Sequence, residues 1–305
     1  MLTKLNHKLL RCIFSNLNNK CPDEYVGDIE IKSNSVNLTK DDICSDRNEL
    51  NEEIRRDLEN FDDEKVLCIV LESPLNKEFE AAGIPLGPAR GITGTKLENN
   101  LDDKLEKFNK NNNGILNGKY KVILMNAIQY KCSLGVDTRY YRDRVWLNLW
   151  FNGHKGDFED RIDNYNPDIV LNLCTKGNHL YDPLYQRDNK TDLKKIRIEF
   201  INEIDKNMRQ DSYGSLHKES ELYFCFNFID GCKSKAKYIY PLLGFVNTSL
   251  CKSANNFILL KGNHPSSAWF KKEFELISDR HVIDNSIKPA ELAIENFKRE
   301  QDLFE

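Results

Sequence analysis

The sequence predicts an α/β fold: a central four-stranded parallel sheet flanked by helices, with an N-terminal helical extension and a long insertion before the last strand. Three observations lead there. Four apolar, β-branched runs, VLCIVL (66–71), YKVILMNAI (120–128), DIVLNLC (168–174) and NFILLKG (256–262), are continuous rather than alternating. Strands buried on both faces of a parallel sheet have that pattern. Helix-length polar segments separate the first three runs, and parallel strands need such crossovers. Finally, 305 residues with 40% hydrophobic and 30% charged side chains describe a soluble globular chain. VLCIVL, the longest apolar run, falls far short of the roughly 20 residues of a membrane helix.

In chain order, residues 1–64 form the expected extension. MLTKLNHKLLRCIFSNL mixes Lys4, Lys8 and Arg11 among its apolar residues, which suits an amphipathic helix and not a secretory signal. Residues 41–64 hold eleven Asp and Glu against three Arg, a net of −8 in a chain of formal charge −4, so the remainder carries +4. A mildly basic body beside an acidic segment is compatible with nucleic-acid binding and equally with an ordinary solvated surface. TKLENNLDDKLEKF (95–108) supplies the first crossover helix; YYRDRVWLNLWF (140–151) and FEDRIDNY (158–165) supply the second. The domain proper spans 65–305. Within it, 180–255 reads as an insertion with a helix (192–208), a polar loop (209–220), an aromatic run (221–229) and a basic patch of Lys233, Lys235 and Lys237. A closing helix with Pro289 near its first turn is expected over 289–304.

Nine cysteines are scattered without a C-x-x-C pair. Reduced thiols in a cytoplasmic protein are expected, with no disulfide framework and no metal site. His154, His179, His217 and His281 lack companions in the sequence that suggest a metal or a catalytic triad, and read as structural. Arg139, Arg142 and Arg144 either follow a DNA backbone or pair with Asp137 and Asp143.

Sites in parallel α/β sheets form beyond the carboxyl ends of the strands. Those ends carry Glu72-Ser73-Pro74, Asn126, Thr175-Lys176-Gly177 and His264-Pro265. Singly each is an ordinary cap or turn. In order, a carboxylate, an amide and an imidazole follow the first, second and fourth strands, with the Gly/Pro-rich GIPLGPARGITG (83–94) between the first two.

That order resembles the uracil-DNA glycosylase superfamily over roughly 65–180 and 255–272. Leu71-Glu72-Ser73-Pro74 corresponds to the family's G-E-A-P-type loop, and 83–94 to its G-x-P-F-V-G-x-A-G segment. Asn126 in VILMNAI corresponds to the base-reading Asn, NPDIVLNLCTKG (166–177) to the third strand, and His264-Pro265-Ser266 to the last motif. The resemblance implies a monofunctional DNA glycosylase without a cofactor, acting on a base flipped out of the duplex. Asn126 would read the pyrimidine edge with its donor and acceptor. His264 would donate to the base oxygen and stabilise the departing anion. Glu72 would orient or deprotonate the attacking water.

The departures refine this expectation. Cys132 stands where the iron–sulfur branch has one of its cysteines, but no others are suitably spaced, so no cluster is expected. Leu75 replaces the Tyr that excludes 5-substituents in branches strict for uracil. Leu86 replaces the stacking Phe, leaving Tyr130 as the candidate aromatic. Ser73 precedes Pro74 where some branches carry an acid or amide. Ala268 occupies the usual position of the wedge that fills the gap left by the flipped base, so Trp269 or Phe270 is the candidate wedge. Ser266, Ser267, Lys271 and Lys272 are candidate DNA contacts.

The expected substrate is therefore a pyrimidine enlarged at its 5-position, such as the modified cytosines of bacteriophage DNA, with antiviral defence as one setting. The alternatives are uracil excision in base-excision repair, a catalytically inactive relative that binds DNA, and a hydrolase of free nucleosides. DNA is the expected partner, with no membrane, no obligate protein partner and a monomeric state.

Overall fold

The computed structural model describes residues 20–33, 35–38, 64–75, 78–80, 84–132, 146, 149–175, 242–253, 256–267, 270 and 272–277. The expected helices at the N-terminus, over 192–208 and over 289–304 lie outside the described residues. So do the acidic run up to residue 63, the aromatic run 221–229, the three lysines after it and Arg139, Arg142 and Arg144.

The elements in chain order are β1 (Glu24–Lys32), β2 (Ser35–Leu38), β3 (Val66–Leu71), α1 (Ile92–Asn111), β4 (Gly118–Asn126), α2 (Lys155–Tyr165), β5 (Ile169–Asn172), α3 (Leu242–Lys252), β6 (Ile258–Lys261) and β7 (Glu275–Leu276). A π-helical turn, Trp150–His154, leads into α2. The strands form one sheet in the order β2-β1-β4-β3-β5-β6-β7.

This corrects the expected architecture. The sheet has seven strands and is mixed, where a four-stranded parallel sheet was predicted. The inner strands β4, β3, β5 and β6 are mutually parallel. Beyond them, β1 joins β4 antiparallel, β2 joins β1 antiparallel, and β7 joins β6 antiparallel. Residues 24–38 are thus a hairpin built into the sheet, in place of the helical extension expected there. The strand after the long insertion is likewise not the last.

A β-bulge hid the hairpin from the sequence. Pairing to β4 runs Glu24↔Leu124 and Tyr25↔Ile123, then resumes at Asp28↔Lys121. The extra residue on β1 switches which face each later side chain occupies. Val26 is therefore buried together with Ile29 and Ile31, and the alternation breaks in mid-strand. Gly27, at φ 116°, takes a backbone conformation that side-chain-bearing residues rarely adopt.

The central strand β3 is buried throughout. Leu67, Ile69 and Leu71 share one core cluster with Leu97, Leu101, Leu105 and Phe108 of α1, whose spacing of three and four residues places them on one helical face. Elsewhere in the core the Trp146 and Trp150 rings stack at 4.7 Å, with Phe158 of α2 5.6 Å from Trp150. Asn166 closes α2 in a left-handed conformation at φ 41°, and Pro167 after it cannot extend the helix.

The segment after β6 is fastened to α1 through Lys104. Its ammonium lies 4.8 Å from the Phe270 ring centre and 5.2 Å from that of Phe274, and it donates to the Lys272 carbonyl. Burial lowers the Lys104 pKa. Phe270 is thereby corrected from candidate wedge to core residue: it is 4% exposed and belongs to the α1 cluster.

Candidate active site at the strand ends

Glu72 follows β3 directly, and its backbone is locked before its side chain can act. The Glu72 carbonyl accepts from Trp146 Nε1 at 2.8 Å and from the Ile128 N–H at 3.1 Å. Since β3 and β4 are paired in register at Leu71↔Asn126, these bonds set the ends of the two strands side by side. The Glu72 carboxylate, on a residue only 5% exposed, accepts from the Thr175 N–H past β5 at 3.3 Å. It also lies 3.2 Å, through Oε2, from His264 Nε2 past β6.

His264 is held in one tautomer by its own loop. Its Nδ1 accepts the Ser266 backbone N–H at 3.2 Å and lies 2.7 Å from Ser266 Oγ. An amide N–H can only donate, so Nδ1 is the acceptor and the neutral ring carries its proton on Nε2. That N–H is the donor that meets Glu72. The Ser267 N–H bonds to the His264 carbonyl at 2.9 Å and tightens the turn.

Asn126 ends β4 and is 1% exposed. Its Nδ2 points at Cys21 Sγ at 3.9 Å, whereas its Oδ1 has no hydrogen-bond partner among the described residues. A buried acceptor left unpaired costs about 1–3 kcal/mol. Folding alone gives no return for that cost; an incoming N–H donor would. Burial raises the Cys21 pKa well above the usual thiol value, so Cys21 faces the amide as a neutral thiol.

Beneath Asn126 lies an ionic anchor, the buried Asp23 paired with the half-buried Arg161. Arg161 of α2 donates to both Asp23 oxygens at 2.9 Å and to the Asn126 and Ala127 carbonyls at 3.1 and 3.2 Å. Gln129 and the Tyr165 hydroxyl complete the shell of Asp23. One guanidinium therefore fixes the backbone that aims Asn126.

Glu78 organises the two expected pocket walls. Its carboxyl accepts the Leu75 N–H and the Ala89 N–H, each at 2.8 Å, and its carbonyl accepts the Leu86 N–H at 2.8 Å. Burial pushes its pKa up to about 8 against the opposing pull of those two amides. Leu75 and Leu86 are half-buried and Ser73 is buried.

The structure thus brings Glu72 and His264 into contact, with Asn126 at the neighbouring strand end. Tyr130 is buried with its ring set edgewise to His154 at 5.0 Å. Ser266 and Lys272 are exposed and Ser267 half-buried. Trp269 and Lys271, like Ala268, lie outside the described residues. The sequence reading missed Cys21, Asp23, Glu78 and Arg161. Glu78 lies between the Glu72 motif and the Gly/Pro-rich segment 83–94, in a stretch to which the sequence reading assigned no role, and Cys21 carried no signal at all.

Among the described residues no group of three or more His, Cys, Asp or Glu could hold a metal ion, and no helix is long and apolar enough to cross a membrane. Comparison with known proteins finds no family model, no curated relative and no solved structure that matches this chain.

Proposed function

We propose that this chain is a DNA glycosylase that hydrolyses the N-glycosidic bond of a flipped pyrimidine carrying a 5-substituent. The supporting observation is the Glu72–His264 contact beside the orphaned Asn126 acceptor. In the resting site His264 Nε2–H and Glu72 satisfy one another. An entering base takes over the His264 donor through a carbonyl oxygen, which frees Glu72 to accept a proton from water. The water oxygen bonds to C1′, the glycosidic electron pair leaves with the base, and the His264 donor stabilises the negative charge. Asn126 Oδ1 accepts an N–H from the base edge, either a ring imide or an exocyclic amine. Aliphatic walls at Leu75 and Leu86 favour a substituted pyrimidine over plain uracil.

A second reading, a catalytically silent DNA-binding relative, is favoured by the near-complete burial of Glu72 and Asn126. Alkaline-cleavage mapping decides between the two. Duplexes bearing uracil, thymine mismatches or 5-substituted cytosines are incubated with the protein and strand breaks are located. We expect breaks at a 5-substituted pyrimidine and their loss in Glu72→Gln, by roughly a hundredfold or more. Breaks undiminished in Glu72→Gln would remove the water-activating role. DNA binding without breaks on any duplex would establish the silent relative.

A further inference from the structure

Flipping a base leaves a gap in the stack, and proteins that hold such distortions commonly fill it with an inserted apolar side chain. We propose that Ile92, the first residue of α1, is that side chain; the proposal rests on the glycosylase reading. Ile92 is 63% exposed, the highest value among the exposed large hydrophobic residues described, and Ile84 in the same Gly/Pro segment is 49% exposed. An isolated exposed isoleucine is unremarkable on a protein surface; the position of this one is what matters.

The helix α1 connects two neighbouring parallel strands, β3 and β4. It must therefore run back against their direction, and its N-terminus lies at the end of the sheet that bears Glu72, Asn126 and His264. Lys96, one turn further along α1, donates to the Ser266 carbonyl at 3.3 Å. Residues four apart share a helical face, so Ile92 stands on the side of α1 that meets the His264 loop, one turn nearer solvent. Folding supplies no reason for an isoleucine here. Thr93 and Gly94 are the buried residues of the first turn, and the Gly91 cap has no side chain to contribute. That first turn contains no acidic residue, so nothing in it repels a phosphate backbone approaching the exposed apolar tip.

The test compares Ile92→Ala with the wild type in single-turnover excision, on duplex and single-stranded oligonucleotides of one sequence carrying the excised base. A single strand has no stack to refill. Ile92→Ala should slow duplex excision by about tenfold or more while the single-strand rate stays within about twofold, and Ile92→Leu should restore the duplex rate. An unchanged ratio of duplex to single-strand rates would overturn the proposal. If the wild type excises nothing, the glycosylase reading fails by itself. The wedge is then read from the fluorescence of a duplex with 2-aminopurine beside a uracil or a 5-substituted cytosine. A rise with wild type that is lost in Ile92→Ala supports the wedge, and no rise with wild type overturns it.

Discussion

At the residue scale, Glu78 shows how burial and hydrogen bonding compete on one group. Two backbone amides favour its carboxylate, yet burial dominates and lifts its pKa from the ordinary 4.5 to about 8. The folded state thus binds the proton more tightly than the unfolded chain. This contribution to stability is complete below about pH 4.5 and is lost as pH rises through 8. The melting temperature should fall over that window, and Glu78→Gln should flatten the fall, as thermal unfolding at a series of pH values will show. Gln has one acceptor oxygen where the carboxyl offers two, so at pH 5 the variant should be less stable by about 1 kcal/mol.

Residue identity alone carried part of the site. Glu72, Asn126 and His264 were legible because each ends or follows a continuous apolar run, and their chemistry is of the type a base-excising site requires. The Glu72–His264 contact was not legible, since it joins residues 192 positions apart. Nor was the thiol at Asn126, because Cys21 reaches it only from the segment that leads into β1, the strand paired with β4.

At the scale of elements, α2 acts as a clamp on the end of β4. Asp23 is buried and Arg161 half-buried against it, and each has its hydrogen-bonding capacity taken up by the other and by nearby groups. Removing one partner strands a buried charge, which costs more than the intact pair contributes. Arg161→Met should therefore destabilise the fold by about 3–5 kcal/mol in urea unfolding, and the double variant Asp23→Asn, Arg161→Met should recover much of it. Recovery of stability without recovery of the proposed base excision would separate the anchor's structural effect from its aiming of Asn126.

The inner strands were readable at this scale because burial on both faces leaves an uninterrupted apolar run, and VLCIVL coincides with β3. The hairpin β1–β2 was not, because one inserted residue at Gly27 desynchronises an otherwise alternating pattern. β7, two residues long, is too short to register as a pattern at all.

Over the whole molecule, the N-terminal hairpin and the segment after β6 complete the sheet at its two edges. Ile29 and Ile31 of β1 sit in the same cluster as Leu67 of β3, Leu101 of α1 and Phe274. Were residues 24–38 an appendage, truncating Ile29 would leave the body untouched. As an integral strand, Ile29→Ala should cost about 2–5 kcal/mol in a single cooperative transition monitored by circular dichroism and tryptophan fluorescence.

The sequence by itself determined four buried strands, the polar residues at their carboxyl ends and the helix that follows the first of them. Each of those is written in a local period or a short motif. Only the tertiary structure decided the mixed seven-stranded sheet, the His264 tautomer, the orphaned Asn126 acceptor and the Arg161 anchor. These depend on register, burial and contacts between distant segments, quantities that no window of neighbouring residues contains.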